Sequence, residues 1–267
     1  LKIKELPQLA LTKIFRQSED STIVTLANQM RQGILPADFT QKKADRSYFE
    51  ASAQYIPEMI PKIVSAAIKS GISPQEIQIL APMYRGAAGI NRLNTIIQDL
   101  LNPLGDQLSF AFGEMNFRKG DKVLHLINDA ELNVFNGDIG YITDLIPAKY
   151  TESKQDELFM SFDGTEVSYP RNEWHKITLA YAMSIHKSQG SEFQVVILPI
   201  TRQSHRLLQR NLIYTAITRS KSKLVMLGEI AAFDYAIKNE GAKRNSYLVW
   251  RFTGDEELPE IDSTESI

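Results

Sequence analysis

The chain contains no cysteine, which excludes disulfide frameworks and thiolate metal sites. Its four histidines, His125, His175, His186 and His205, are too scattered to show a ligand spacing, so no structural metal is expected. Long apolar runs are missing as well. Val195–Ile200 and Leu224–Leu227 are far too short to span a bilayer, and no charged start followed by an apolar stretch marks a secretory leader. No membrane partner is expected, and a cytoplasmic location is. Nor does any GxxxxGK[ST] phosphate loop occur, or an apolar strand ending in the paired acids that would hold magnesium; Asp255-Glu256-Glu257 lies in a polar stretch instead.

What is present is sufficient for a real core. Of 267 residues, 43% are hydrophobic and 23% charged, ordinary values for one or two globular domains. The net charge of −2 conceals a division. Residues 254–267 carry six acids and no base, so they read as a disordered acidic tail, and setting them aside turns the balance to +4. That balance permits contact with a polyanion without establishing it.

Two textures alternate along the chain. Ile14–Met30 and Tyr55–Lys69 show the apolar spacing of amphipathic helices, the second stopped by Gly71, with a polar stretch at Gln41–Arg46 between them. Ile77–Ala81 reads as a buried strand, Pro82–Gly89 as a loop and Ile90–Leu101 as a helix, the unit from which parallel α/β sheets are built. After Pro103 come short β-type runs at 122–127, 140–145, 157–162 and 166–169. They are separated by Asn136-Gly137-Asp138 and Asp163-Gly164, pairs that favour the positive φ of tight hairpins. Buried strands and helices then return at 177–183, 195–200, 205–216 and 223–227. An α/β domain interrupted by a small antiparallel barrel accounts for the pattern, because no compact α/β unit needs a connection as long as 82–176.

Three stretches carry residues suited to chemistry. In Ser184–Phe193 (SIHKSQGSEF) a strand runs into a polar loop; Ser184 and His186 suit phosphate contacts, Gly190 permits close backbone approach and Glu192 can accept from sugar hydroxyls. A plain polar turn capped by serine fits the same spacing. Arg219, in Tyr214–Leu224 (YTAITRSKSKL), ends a helix, where its planar fork can meet an oxyanion or simply lie at the surface among Lys221 and Lys223. Phe15 and Arg16, in Leu11–Ser21 (LTKIFRQSEDS), stand ahead of a helix, where Phe15 can stack on a base or staple the helix start. Arg202, Arg206 and Arg210, spaced by four, are expected to form a basic stripe on one helix, either solvated or docking.

In this order the three stretches resemble motifs IV, V and VI of the RecD-like superfamily 1 DNA helicases, the group of the exodeoxyribonuclease V alpha subunit. Leu80–Asn94 (LAPMYRGAAGINRLN) is similar to a segment between motifs IV and V of that family. The resemblance implies a RecA-like, P-loop NTPase-type parallel sheet with helices on both faces. Residues 1–115 and 176–253 would form this second motor domain, and 116–175 the inserted SH3-like barrel.

The resemblance further implies that Arg16 and Arg219 meet the γ-phosphate of ATP with Mg2+, converging on a cleft at the sheet's carboxyl edge. Phe15 would flank the adenine, and Gln189, Gly190 and Glu192 would approach the nucleotide. Ser184, His186 and Lys187 would hold single-stranded DNA by its backbone, joined by Arg85, with the basic ends 119–122 and 171–176 of the barrel near the strand. The expected activity is ATP-driven 5′ to 3′ movement in DNA repair or recombination. The phosphate loop would come from a RecA-like domain on the amino-terminal side, a reading prompted by the start at Leu1 without methionine. Without that domain no ATP turnover is expected. Subunits of a nuclease complex are further expected partners. The helicase portion of a conjugative relaxase and a non-catalytic nucleic-acid-binding scaffold remain alternatives.

Overall fold

The computed structural model describes residues 21–241; Phe15, Arg16 and the acidic stretch 254–267 lie outside them. Helix α1 (Thr22–Arg31) begins at Ser21, whose hydroxyl accepts from the Ile23 N–H at 3.2 Å and donates to the Asp45 carboxylate at 2.8 Å. Asp45 also accepts from the Thr22 N–H (2.8 Å) and the Thr22 hydroxyl, so an anion closes the positive end of the helix. Burial raises the Asp45 pKa, but these hydrogen bonds outweigh it and hold the carboxyl below its ordinary value. Strand β1 (Arg46–Glu50) follows, beginning where the polar stretch Gln41–Arg46 ends, in residues that the sequence assigned to no element. It is an edge strand, paired only with the later stretch Ser220–Gly228, and shows no buried apolar run to betray it.

Helix α2 (Ile56–Lys69) buries Ile56, Ile60 and Val64, strand β2 (Ile77–Ala81) is buried throughout, and α3 (Ile90–Leu101) buries Ile90, Leu93 and Ile97. An unforeseen hairpin comes next, β3 (Ser109–Phe112) with β4 (Met115–Arg118). Strands β5 (Lys122–His125), β6 (Ile139–Ile146), β7 (Glu157–Phe162), β8 (Thr165–Pro170) and β9 (Ile177–Leu179) form an antiparallel sheet in the order β8-β7-β6-β5-β9. Asp163 and Gly164 both take positive φ, 47° and 85°, as the two-residue turn between β7 and β8 requires. Asn136-Gly137, by contrast, ends the longer loop 126–138. The barrel is not closed: among the described residues no ladder joins β8 to β9. The edges are bridged by the turn Arg171–Lys176, which buries Trp174.

The chain then returns through β10 (Ala182–Ser184), β11 (Phe193–Ile200), α4 (Arg210–Ile217), β12 (Ser220–Gly228) and α5 (Ile230–Lys238). The second sheet, in the order β1-β12-β11-β2-β10, is parallel throughout. Side chains alternate between its faces. Ile79, Ala81, Val195 and Ile197 join one apolar cluster with Ile60 and Val64 of α2 and Leu93 and Ile97 of α3. Leu80, Val196 and Leu198 are equally buried but face the other way, where α4 packs on β11 and β12 beside α1 and α5. The stretch 177–183, expected as one strand, is divided: β9 pairs with β5, and only after Ala180 and Tyr181 does β10 join β2.

Buried polar groups fasten the antiparallel sheet to the parallel one. Asp121 accepts from the amides of Gln98 (2.6 Å) and Asn102 (2.7 Å), from the Arg118 N–H (2.7 Å) and from the Tyr181 hydroxyl (3.0 Å). Burial still raises its pKa above the ordinary carboxylate value. The Lys122 ammonium, on a side chain only 3% exposed, donates to the Gln78 side chain (2.9 Å) and to the carbonyls of Gln75 and Ile77. It also lies 5.4 Å from the centre of the Phe193 ring. Burial pushes its pKa down from 10.5 to about 8, a shift that the charge of Glu76 offsets only in part. The unfolded chain therefore binds the extra proton between pH 8 and 10.5, and folding stability contributed at this site rises with pH across that window. Compared with Lys122→Met by urea denaturation, the native protein should gain on the order of 1–3 kcal/mol relative to the variant between pH 7.5 and 10. A pH-independent difference would contradict this reading.

Candidate functional site

Parallel pairing decides where each residue of interest lies, because the carboxyl ends of all five strands share one edge and their amino ends the other. At the carboxyl edge, Ser184 ends β10 in register with Ala81 of β2. Its hydroxyl accepts from the Lys187 N–H at 3.4 Å and so caps the single 3-10 turn Ile185–Ser188. His186 is exposed on that turn. Lys187 reaches sideways to donate to the Asn136 side chain at 2.6 Å, which ties the loop between β5 and β6 to the turn. Arg85 is exposed on the neighbouring loop after β2. Ser184, His186, Lys187 and Arg85 are thus brought to one edge of the sheet.

Glu192 and Arg219 are not with them, and Gln189 and Gly190 lie on the segment between the two groups. Glu192 immediately precedes β11 and Arg219 immediately precedes β12, which places both at the amino edge. The expected cleft at the carboxyl edge is therefore corrected. A connection between two parallel strands starts at one edge and must finish at the other, and here β2 stands between β10 and β11, so residues 185–192 cross it. Gly190 supplies the positive φ (94°) of the turn, with open space where a side chain would stand. Gln189 is exposed beside it. Glu192 pairs with Lys221 at 3.6 Å.

Arg219 is 7% exposed, not the projecting side chain that sequence suggested. Its guanidinium donates to the carbonyls of Thr215 (3.2 Å) and Ser191 (3.3 Å) and to the Thr218 hydroxyl (3.3 Å), while its own carbonyl accepts from the Phe193 N–H at 2.9 Å. The crossing segment and the end of α4 are thereby joined, and the turn Ile185–Ser188 also packs on α4. Phe15 and Arg16 lie outside the described residues.

Three further expectations change. Arg202, Arg206 and Arg210 do not share a helix: Arg202–Leu207 is a 3-10 turn and α4 starts only at Arg210. Arg210 is turned inward onto the Ile237 carbonyl (2.6 Å) and Glu240 (2.8 Å), which dissolves the stripe. Lys122 is buried, and Lys176 is engaged by Glu173 (2.7 Å) and Asp129 (3.3 Å). Arg171 stacks on Trp174 and bonds the Ala111 carbonyl. Lys122 and Lys176 thus hold structure, while Lys119, near Asp144, and Arg171, near Asp156, keep exposed side chains.

Two family models match the chain. One described as the UvrD-like helicase C-terminal domain covers residues 179–227, from the end of β9 into β12; one described as the ATP-dependent RecD-like DNA helicase SH3 domain covers residues 93–162. The chain is 30% identical over 246 residues to the ATP-dependent RecD2 DNA helicase of Deinococcus radiodurans, covering 92% of this chain and 32% of that protein. It is 26% identical to the RecBCD enzyme subunit RecD of Buchnera aphidicola, over 84% of this chain and 39% of that one. The chain thus spans about a third of the length of these curated relatives. Among solved structures, Bacteroides Pif1 bound to single-stranded DNA aligns over 91% of this chain and 55% of that one, with 18% identity and a TM-score of 0.47. No described helix is long and apolar enough to cross a membrane.

The carboxyl-edge loop is shaped by a close approach. A β-carbon on Gly89 would stand 2.5 Å from both the carbon and the oxygen of the Arg85 carbonyl, so the loop from Tyr84 to Gly89 can fold this tightly only around glycine. Gly89→Ala is expected to destabilise the chain by about 1–3 kcal/mol in urea denaturation, the usual cost of overpacking against backbone. An unchanged midpoint would show that the loop is free to relax.

Proposed function

We propose, since the chain belongs to the RecD-like family of superfamily 1 DNA helicases, that it is the second motor domain of an ATP-dependent enzyme moving 5′ to 3′ on single-stranded DNA. The observation that carries this reading is the course of residues 184–193. They begin among groups suited to a phosphate backbone and end beside Arg219, so one short segment touches both edges of the sheet.

In this reading Ser184, His186, Lys187 and Arg85 hold the strand by its backbone, a grip that carries no sequence information. At the other edge Arg219, together with Arg16, meets the terminal phosphate, while Gln189, Gly190 and Glu192 face the nucleotide and Phe15 its base. The described residues fit a contributor to a nucleotide site, not its principal holder. They offer a buried guanidinium at the start of β12 and an open glycine turn, but no phosphate loop and no acid pair suited to Mg2+. ATP, when bound, supplies the free energy of the phosphoanhydride bond. This chain's part is to place positive charge where negative charge develops and to link that placement to the strand through the turn packed on α4. The RecA-like domain that holds the phosphates, a role in DNA repair, association with nuclease subunits and a cytoplasmic setting belong to the same proposal.

The chain alone should bind oligothymidine but not turn over ATP; measurable phosphate release by the purified chain would contradict the division of labour. In the longer protein, Arg219→Ala should lower ATP turnover by about 10³-fold or more, the range of arginine fingers, while single-strand affinity stays within about twofold. His186→Ala should do the reverse. Equal loss of both functions in each variant would refute the separation of the two edges.

A further inference from the structure

A cavity of about 630 Å³ opens beside the carboxyl edge, and of the residues that wall it only Arg85 has been given a part so far. Tyr84 and Arg85 wall it from the loop after β2, Arg92 and Thr95 from α3, and Phe112 and Glu114 from the β3–β4 hairpin. Its volume falls within the range of small-molecule and cofactor sites. Tyr84 is 53% exposed although it stands on a loop held in one shape: the Ile90 N–H donates to the Met83 carbonyl (2.9 Å) and the Asn91 N–H to the Tyr84 carbonyl (3.1 Å). An aromatic ring is therefore kept in water on a fixed support. Among the described residues neither Arg85 nor Arg92 forms an ion pair, whereas Arg118, deeper in the same cavity, is matched by Asp99 at 2.9 Å. Glu114, steadied by the Asn91 amide at 3.4 Å, makes the hairpin side unfavourable for phosphate.

We infer that this cavity is a nucleotide subsite, in which one base of the single strand stacks on Tyr84 while its phosphate lies toward Arg85 and Arg92. The inference rests on the strand-binding reading above. Register carries it further: Ala81, which leads into the Tyr84 loop, pairs with Ser184, so a strand held at Ser184 and His186 has the Tyr84 loop as its neighbour. A fixed aromatic with unpaired guanidiniums beside it is the combination that single-stranded nucleic acid recognises, through stacking that tolerates any base and through release of counterions. Helix α3, through Arg92, thereby acquires a part in holding DNA, and the acidic hairpin side bounds the path of the phosphates.

Fluorescence anisotropy of this chain with labelled oligothymidine, titrated at several salt concentrations, tests the assignment. Tyr84→Ala should weaken binding about 5- to 100-fold, the range of base stacking on an aromatic, with the salt slope unchanged, and Tyr84→Phe should keep the affinity. Arg92→Gln should lower the salt slope by about 0.7, one phosphate contact on a single strand. Both side chains are exposed, so unaltered urea midpoints are expected and separate binding from folding. If Tyr84→Ala and Arg92→Gln bind as the native chain does while His186→Ala is weaker, the subsite is overturned and the strand-binding reading stands. If the native chain itself does not bind the oligonucleotide, both fall.

Discussion

The geometry of this molecule turns on one constraint of parallel sheets. Strand β10 ends at one edge and β11 begins at the other, with β2 paired to both, so the residues between them must run the depth of the sheet. Ser184 and Glu192 stand at the two ends of a short crossing braced by a 3-10 turn against α4, and in the proposed function this shared placement couples the two edges. A single turn leaves little slack, because Ser188 is wholly buried and its hydroxyl donates to the Ile185 carbonyl at 2.7 Å. In the proposed function, a displacement at one edge would pass to the other through this turn.

The inserted sheet is fastened where that constraint needs support. Lys122 and Asp121 are costly groups to bury, as the directions of their pKa shifts show. They are retained at the junction where β5 meets β2 and where Tyr181 leads into β10. An apolar junction of similar volume would hold the two sheets together equally well, but it would tolerate sliding. Directional bonds from Gln78 to the carbonyls of Ala180 and Tyr181, at 3.1 and 3.2 Å, fix the register of the strand that carries Ser184.

Much of this was legible in the residues. The helices at 56–69 and 90–101, the buried strand at 77–81 and the Asp163-Gly164 turn follow from periodicity and turn chemistry. Edge strand β1 and the β3–β4 hairpin do not, because neither has a continuous buried run and their pairing is set by distant partners. The candidate site was legible as a set of residues but not as an arrangement. Spacing assigns Arg219 to a helix end and Glu192 to a strand start, yet only the sheet order shows which edge each occupies. Likewise a spacing of four suggested an arginine stripe, and the extended break at Leu208 and Gln209 before α4 removed it. Local sequence cannot disclose that Lys122 is buried, since its three acceptors lie 44 to 47 residues away along the chain.

The most direct measurement is the coupling free energy between nucleotide and strand in the longer protein, taken as the ratio of single-strand affinities with and without a non-hydrolysable ATP analogue. It should be compared between the native protein and Ser188→Ala, which alters the crossing turn without touching either proposed contact set. The account predicts that the coupling shrinks severalfold while each ligand alone binds as before. Full coupling in the variant, with both affinities intact, would show that the two edges communicate by another route.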